Sequence, residues 1–265
     1  MRVGVILVGY NTEDLIGPCL APWIEARQTR LGGNTFIICA VNVPFVGFDN
    51  DGQDGTRDHL ERDLGAGYID HLIVSDTPMK ETEARSEALR WLKTEDVETV
   101  IQVDSDEQFA LTDISRVFAF VAANPFACWF RLCLKNYVGI NGDNKTYLVE
   151  PFTPPRIHRI RLPGGFTAYA FNQDNDICYT GGITRDVKRQ EQFASMTVPK
   201  ESVWIRHLSW LSDSRSKAKV EYQRKRWGHS SFRWDEVSNQ LRFDESYYAT
   251  LGQPLPETAR DESPL

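Results

Sequence analysis

The sequence predicts an α/β fold in which a mixed, mostly parallel central sheet is flanked by helices. Two observations support this prediction: short apolar runs recur along the first half of the chain, and helical stretches separate them. The runs are VGVILVG, TFIICAVNV, YIDHLIVS and VETVIQVD. Their hydrophobicity is continuous rather than alternating, which is typical of strands covered on both faces in a parallel sheet. A sheet layered between helices is therefore the expected architecture.

Two helices of this α/β pattern are predicted from apolar residues at helical spacing. One carries the stripe Ala84, Ala88, Trp91 and Leu92 after Thr82, and the other carries Ile114, Val117, Phe118 and Val121 after Thr112. Thr82 and Thr112 are suited to act as N-caps, because threonine side chains accept hydrogen bonds from the first turn.

The second half of the chain has a different pattern. ACWFRLCLKNYVGI and KTYLVEPF predict strands of a mixed or antiparallel extension. Residues 139–145 and 151–182 are rich in Gly, Pro, Asn and Asp, and we expect them to form functional loops. Ser212 opens a basic helix of about 15 residues. The tail from Gln253 is expected to be disordered.

Composition and charge describe an ordinary soluble chain. Its 265 residues are 41% hydrophobic and 25% charged, enough to bury a substantial core. The net charge of −7 argues against general coating of nucleic acid, which needs a basic surface. No apolar stretch approaches the roughly 20 residues of a membrane span. Polar residues follow the Val3–Val8 run at once, so this run predicts a buried strand rather than a targeting signal.

The cysteines indicate a reducing compartment. There are five, widely spaced and without a C-x-x-C pair: Cys19, Cys39, Cys128, Cys133 and Cys178. Three of them lie in apolar runs, where a free cysteine behaves as a small hydrophobic residue. The sequence therefore predicts a cytoplasmic protein without structural zinc.

Acidic residues gather at the ends of the predicted strands. Ligands of open α/β sheets bind beyond the carboxyl ends of the strands, which here are residues 10–11, 49–56, 75–80 and 104–108. Three of these four segments contain acidic residues. A phosphate bound there would need a cation between its oxygens and the carboxylates.

The pattern D-x-D occurs three times, as Asp49/Asp51, Asp104/Asp106 and Asp174/Asp176. Only the middle pair directly follows a buried strand, where residues i and i+2 point the same way and can share a hard divalent cation. Taken alone, the pair is better explained as ordinary acidic loop residues. Two other nucleotide-site patterns are absent: no G-x-G-x-x-G follows the first strand, and there is no G-x-x-x-x-G-K-[ST].

Four segments, in order, resemble family 2-type glycosyltransferases of the GT-A fold, in the nucleotide-diphospho-sugar transferase superfamily. VILVGYNTEDLIGPCL is similar to the first strand, Y-N turn and helix, and FDNDGQDGTRDHL to the D-D-G-S-x-D-G-T loop. ETEARSEALRWL resembles the A-R-N-x-A-L helix, with Ser86 in place of asparagine, and VIQVDSDEQF resembles the D-x-D strand. The resemblance covers most of residues 3–110 and resumes around 203–226. It departs in DNDGQDGT, where the glycine is displaced by one position.

This resemblance implies a site for a nucleoside-diphosphate sugar. Tyr10 would stack near the base beside Asn11, although an aromatic at the edge of the core has the same pattern. The nucleoside would be bound by one of three residues in the loop with the displaced glycine: Asp49, Asn50 or Asp51.

The same resemblance implies roles around the D-x-D pair. Asp104 would face ribose and metal, Asp106 would hold the metal through the diphosphate, and Ser105 lies between them in the donor site. Arg85 would lie near the nucleotide or support the aspartates. The alternative is a surface arginine of the helix.

The C-terminal part supplies two further candidates. His207 directly follows a short apolar strand and resembles the third metal ligand of many GT-A enzymes; such a carboxylate and imidazole set favours Mn²⁺ over Mg²⁺. Lys219 in the basic helix is expected to reach the diphosphate. Basic residues interleaved with Trp227 and Trp234 are also typical of a nucleic-acid groove. His158 is expected to line the acceptor side.

We therefore predict a metal-dependent glycosyltransferase that moves a hexosyl or related sugar, from a UDP-sugar in preference, to an acceptor hydroxyl of a glycan. Family resemblance favours inversion, which needs a carboxylate base. The candidate bases are Asp186, Asp174, Asp176 and Glu150; without one, a retaining reaction stays open.

The predicted domains are a catalytic domain at 1–211, a C-terminal helical extension at 212–252 and a disordered tail at 253–265. Within the catalytic domain, residues 1–110 form the nucleotide-sugar half and residues 111–211 the acceptor half. The alternatives are the same chemistry on a modified nucleic-acid base or a protein, a metal-dependent nucleotidyltransferase, and a non-catalytic sugar- or nucleotide-binding module.

Overall fold

The structure is a computed structural model that describes residues 1–46, 54–139, 146–149, 153–173, 176–181, 188–189, 193–200, 203–210 and 213–260. They divide into two units. The first contains the described residues of 1–46, 50–133 and 153–205, and the second those of 134–152 and 206–265.

The helices and strands are numbered along the chain. The strands are β1 (Arg2–Val8), β2 (Thr35–Asn42), β3 (His71–Val74), β4 (Thr99–Asp104), β5 (Glu107–Gln108), β6 (Trp129–Arg131), β7 (Leu134–Val138), β8 (Thr146–Leu148), β9 (Pro155–Arg159), β10 (Arg161–Leu162), β11 (Phe166–Phe171), β12 (Ile177–Gly181), β13 (Lys188–Arg189), β14 (Ser195–Thr197), β15 (Ile205–Trp210), β16 (Phe232–Asp235), β17 (Gln240–Phe243) and β18 (Thr258–Arg260). The helices are α1 (Glu13–Gln28), α2 (Thr56–Gly65), α3 (Glu81–Thr94), α4 (Leu111–Ala123), α5 (Asp213–Trp227) and α6 (Glu245–Thr250).

The first unit is built on a seven-stranded sheet with the order β14-β6-β9-β4-β1-β2-β3. β3, β2, β1 and β4 are parallel, whereas β9 runs antiparallel to β4 and β6. β1 and β2 are buried along almost their whole length. The four apolar runs form the four parallel strands, so the predicted α/β architecture is confirmed.

A second sheet of the first unit, with the order β10-β11-β12-β13, packs against α3. Its strands β10, β11 and β12 lie in the segment 151–182 that we expected to form loops, and that expectation is wrong for most of the described residues of this segment. The reason is an apolar set that the strands bury, including Leu162, Ala168 and Tyr179. The glycine-rich part is a short turn, in which Gly164 and Gly165 have φ of 82° and 80°.

Helices α3 and α4 begin one residue before the threonines expected to cap them. The residue preceding α3 is Lys80, whose N–H donates to Glu83 Oε2 at 3.3 Å. The residue preceding α4 is Ala110, whose N–H donates to Asp113 Oδ2 at 3.4 Å. A carboxylate in the first turn therefore satisfies the preceding N–H in both cases.

The second unit contains four strands in the order β18-β8-β7-β15, the hairpin β16–β17, and helices α5 and α6. Its core consists of Val138, Trp210, Val220, Phe232 and Leu241. The predicted basic helix is α5. β18 pairs antiparallel with β8, within the segment expected to be disordered. The predicted domain boundaries stay a prediction.

All five cysteines are buried and free. None of the helices in the described ranges is long and apolar enough to cross a membrane.

Candidate functional site

The turn that follows β1 lies against the turn that follows β4. The N–H of Ser105 donates to the carbonyl of Val8 at 2.9 Å. A Cβ added to Gly9 would lie 2.9 Å from the Cβ of Ser105. Asn11 then takes a φ of +52°, a left-handed conformation that asparagine tolerates. The first and fourth predicted strand ends therefore meet.

Residues 54–56, at the start of α2, are tied to the start of α1. The N–H of Glu13 donates to Asp54 Oδ2 at 2.9 Å, and the N–H of Gly55 donates back to Glu13 Oε2 at 3.0 Å. The N–H of Thr12 donates to Thr56 Oγ1 at 2.8 Å. The end of the acidic, glycine-rich segment is thereby fixed beside the Y-N turn. Asp49, Asn50 and Asp51 lie outside the described residues.

Tyr10 stands half-exposed at this edge of the sheet. Partial burial raises the pKa of its phenol, and the negative charges of Asp54 and Asp76 raise it further. Asp76, which follows β3, pairs with Arg57 at 3.1 Å. Tyr10 is therefore close to groups that follow β2 and β3, as a ligand site at strand ends requires.

Arg85 of α3 holds Asp104 at the end of β4. The arginine side chain is only 1% exposed, so the alternative of a surface arginine is wrong. Its Nη2 contacts Asp104 Oδ1, and its Nη1 is 2.7 Å from Glu81 Oε1. Arg85 thus supports the first aspartate of the D-x-D pair.

Two residues of the site were not anticipated from the sequence: Arg156 on β9 and Glu107 on β5. Arg156 Nη2 donates to Asp104 Oδ2 at 2.8 Å and also contacts Glu107 Oε1. Glu107 Oε2 accepts from the N–H of Asp104 at 3.3 Å. Burial is the largest influence on Glu107 and raises its pKa, while Arg156 opposes it.

The signal that could have found Arg156 is the alternation of a strand in PRIHR. Arg156 and His158 share one face of β9, and both are buried. His158 lies 2.8 Å from the Nε2 of Gln102 on β4. Burial lowers its pKa to about 3, with the charge of Arg156 adding to the effect. It is fully buried, so the expectation that it lines the acceptor side is wrong.

The donor set at the end of β4 suits a hard cation held by few protein ligands. Asp106 and Asp104 are each partly exposed, and both carry carboxylate oxygens. Within the described ranges no group of three or more His, Cys, Asp or Glu could hold a metal ion. A cation here would have to complete its coordination with diphosphate oxygens and water, as Mg²⁺ and similar ions commonly do.

Two of the predicted site residues belong to the second unit. The Nδ1 of His207 on β15 is 2.5 Å from Asn136 Oδ1. With the amide in this orientation, Nδ1 carries the proton and Nε2 is the basic nitrogen that can bind a metal. The ammonium of Lys219 lies 4.9 Å from the centre of the Trp210 ring. Their roles in metal and diphosphate binding stay predictions.

Only one of the four candidate bases is described. Asp176 lies in the turn between β11 and β12, where its N–H donates to Asn172 Oδ1 at 3.0 Å. Asp174, Asp186 and Glu150 lie outside the described residues. The identity of a base stays a prediction.

Several solved structures of glycosyltransferases are similar to this chain. The mannosyltransferase PcManGT from Pyrobaculum calidifontis, solved with GDP-Man and Mn²⁺, matches with a TM-score of 0.50 and 15% identity, over 86% of this chain and 65% of that one. S. aureus TarS matches with a TM-score of 0.46 and 15% identity, over 85% of this chain and 39% of that one.

Residues 1–349 of TarS with UDP-GlcNAc match with a TM-score of 0.37 and 22% identity, over 54% of this chain and 36% of that one. This chain thus spans less than two thirds of the length of each of these proteins. Its sequence matches no protein-family model and no curated protein. The similarity to PcManGT, together with the order of the parallel strands, shows that the chain has the GT-A glycosyltransferase fold.

Proposed function

We propose that this chain is a metal-dependent glycosyltransferase of the family 2 type, which transfers a sugar from a nucleoside-diphosphate sugar to an acceptor hydroxyl. One observation carries the proposal. The Asp104–Ser105–Asp106 turn ends a parallel strand of a GT-A fold and packs directly against the Y-N turn after β1. Ligands of such sheets bind at this edge.

Different residues would bind different parts of the donor. Tyr10 offers a ring on which a base can stack, and Asp49, Asn50 or Asp51 would read the nucleoside. Asp104, held by Arg85, would accept from the ribose hydroxyls. Lys219 would contribute positive charge toward the diphosphate. We favour a UDP-sugar as the donor.

A divalent cation would be held by Asp106 with Asp104, and His207 is the proposed third ligand. When bound, it would supply Lewis-acid stabilisation of the departing diphosphate. A mixed carboxylate and imidazole set favours Mn²⁺ over Mg²⁺. If Nδ1 of His207 donates to Asn136 Oδ1, Nε2 would be the nitrogen that binds the cation.

We further propose an inverting reaction on a glycan acceptor, with the base among Asp186, Asp174, Asp176 and Glu150. A carboxylate would take the proton of the attacking hydroxyl as the new glycosidic bond forms. The five buried, free cysteines support a cytoplasmic location, because disulfides do not persist in a reducing compartment.

The proposal is tested with a thermal-shift panel of UDP- and GDP-sugars, with and without Mn²⁺. We expect stabilisation that depends on both the nucleotide and the metal, since a ligand that binds only the folded state raises its stability. Release of UDP or GDP, measured with candidate glycans, tests transfer itself. No metal-dependent stabilisation by any nucleotide would contradict the proposal. Release of pyrophosphate from nucleoside triphosphates would instead indicate a nucleotidyltransferase.

Asp106→Asn separates a metal site from an acidic loop. We expect the variant to fold with a melting temperature near that of the parent and to lose the Mn²⁺-dependent shift. Asp96→Asn is the matched control, because Asp96 pairs with Arg161 at the surface and its φ of +51° suits asparagine. If Asp106→Asn kept the full shift, the cation would not be held by this turn.

A further inference from the structure

The carboxylate of Asp104 lies between two guanidinium groups that come from different elements. Arg85 reaches its Oδ1 from α3, and Arg156 reaches its Oδ2 from β9 at 2.8 Å. We infer that Arg156 is a positioning residue of the donor site, which fixes the carboxylate of Asp104 in one orientation. This inference rests on the function proposed above.

The contacts of Arg156 form a closed ring. Its Nη2 bridges Asp104 Oδ2 and Glu107 Oε1, and Glu107 Oε2 accepts from the backbone N–H of Asp104. Glu107 thus holds both the arginine and the main chain of the aspartate. A carboxylate with hydrogen bonds on both oxygens, in a ring that includes its own backbone, has little freedom to rotate.

Burial makes this arrangement costly, so it calls for a purpose beyond packing. The side chain of Glu107 is fully buried and that of Arg156 is only 9% exposed. Replacing a buried ion pair by apolar residues of similar volume is often neutral or stabilising. The pair instead ends on Asp104, which is 26% exposed and lies at the proposed donor site. Its geometry therefore serves the exposed carboxylate.

The two guanidinium groups also bear on the different roles proposed for Asp104 and Asp106. Asp104 lies beside two positive charges, which hold its carboxylate in place and weaken its attraction for a cation. Asp106 follows two residues later in the same turn. This agrees with the roles proposed above, in which Asp104 faces the ribose and Asp106 holds the metal.

The chain offers a matched control on the same strand. Arg159 lies three residues further along β9, and its guanidinium donates to the carbonyls of Ala127, Val121 and Asn124. These contacts anchor the end of α4 and involve main-chain oxygens rather than the site carboxylates. Arg159→Lys therefore reports the cost of altering a partly buried arginine of β9 without altering the site.

The test measures binding of UDP and of GDP, each with Mn²⁺, by isothermal titration calorimetry on the full chain. The variant Arg156→Met with Glu107→Gln removes both charges together, so that no buried charge is left without its partner. We expect it to fold and to raise the Kd by about 10- to 100-fold, the usual effect of removing a group that orients a ligand. Arg156→Lys should lie between parent and double variant, because lysine keeps the charge but lacks the planar fork.

Two outcomes would overturn the inference alone. One is a Kd for the double variant that lies within about twofold of the parent value. The other is a loss of nucleotide affinity in Arg159→Lys as large as that in Arg156→Lys. Circular dichroism and thermal melting of each variant show that the fold is retained. A parent chain that binds neither nucleotide would overturn the proposed function, and the inference with it. The two failures are therefore distinguishable by the parent measurement.

Discussion

Gly9 lies so close to Ser105 that even a single methyl group added at position 9 would disturb the site. An added Cβ at position 9 would lie 2.9 Å from the Cβ of Ser105 and 3.0 Å from its Oγ. Ser105 is buried, and the two aspartates of the D-x-D pair flank it. A side chain at position 9 must therefore displace the turn that carries both carboxylates.

We predict that Gly9→Ala lowers the free energy of unfolding by about 1–3 kcal/mol, the usual cost of overpacking. It should also weaken binding of UDP with Mn²⁺. Ser105→Gly removes the atoms that clash, so the double variant should recover much of both losses. Chemical denaturation and calorimetry on the four proteins of this cycle measure the coupling. Additive effects of the two changes would contradict the proposed contact.

Part of the site could be anticipated from single residues, and part could not. Asp104 and Tyr10 come from segments that directly follow apolar runs, so their place at the strand ends follows from the sequence. Glu107 lies in the same strand-end segment, 104–108, but nothing in the sequence marks it as a partner of Asp104. Arg156 follows no apolar run, and its partner Asp104 is 52 residues away along the chain. Pairing of β9 with β4 brings Arg156 to Asp104, and that pairing leaves no mark on the local sequence.

At the level of the elements, strands β9 and β4 each contribute one side chain to a buried polar pair. His158 of β9 lies 2.8 Å from Gln102 of β4, and both side chains are fully buried. The pKa of His158 is lowered from 6.5 to about 3, so the folded chain keeps this ring neutral. The unfolded chain takes up a proton below about pH 6.5.

We therefore predict that the free energy of unfolding falls as the pH drops from about 6.5 toward 3, by up to about 1.4 kcal/mol per pH unit from this group. His158→Gln keeps a neutral polar side chain and should make this part of the profile flatter. Gln102→Met is the control, since it removes the hydrogen bond but leaves the titrating ring. Urea denaturation at a series of pH values measures both. An unchanged profile in His158→Gln would contradict the prediction.

Elements whose apolar residues follow one clear pattern were predictable from the sequence. Elements in which apolar residues are mixed with turn-forming residues were not. The four parallel strands and α3, α4 and α5 follow from continuous or periodic apolar residues, or from a run of good helix formers. β9 to β12 were expected to be loops because Gly, Pro, Asn and Asp are frequent among them. Their buried residues occur in short groups separated by tight turns. The turn residues outweigh the apolar signal in a short sequence window.

At the scale of the whole molecule, charge argues against nucleic acid as a general partner. The net charge is −7. On α5, Lys217 pairs with Glu236 at 3.0 Å and Arg224 with Asp244 at 3.1 Å. The ammonium of Lys219 lies over Trp210. Three of the described basic side chains of α5 thus contact groups of their own unit.

We predict no measurable binding of double-stranded DNA at about 0.15 M ionic strength, measured by fluorescence anisotropy. The variant Glu236→Gln with Asp244→Asn releases Lys217 and Arg224 from their charged partners. The change at position 244 keeps the N-cap of α6, because asparagine is as good an N-cap as aspartate. We expect this variant to bind DNA more tightly than the parent at low salt. Tight, salt-dependent binding by the parent would favour a nucleic-acid acceptor instead.

The neighbouring residues Arg85 and Ser86 tie one helix to two different sheets. Arg85 holds Asp104 at the end of β4, while Ser86 Oγ accepts from the N–H of Phe171 on β11 at 2.9 Å. Insertion or deletion of a single residue in α3 would turn these side chains by about 100° relative to the rest of the helix. Both attachments would then be lost at once. We therefore expect evolution to vary the identity of residues along α3 far more freely than its length.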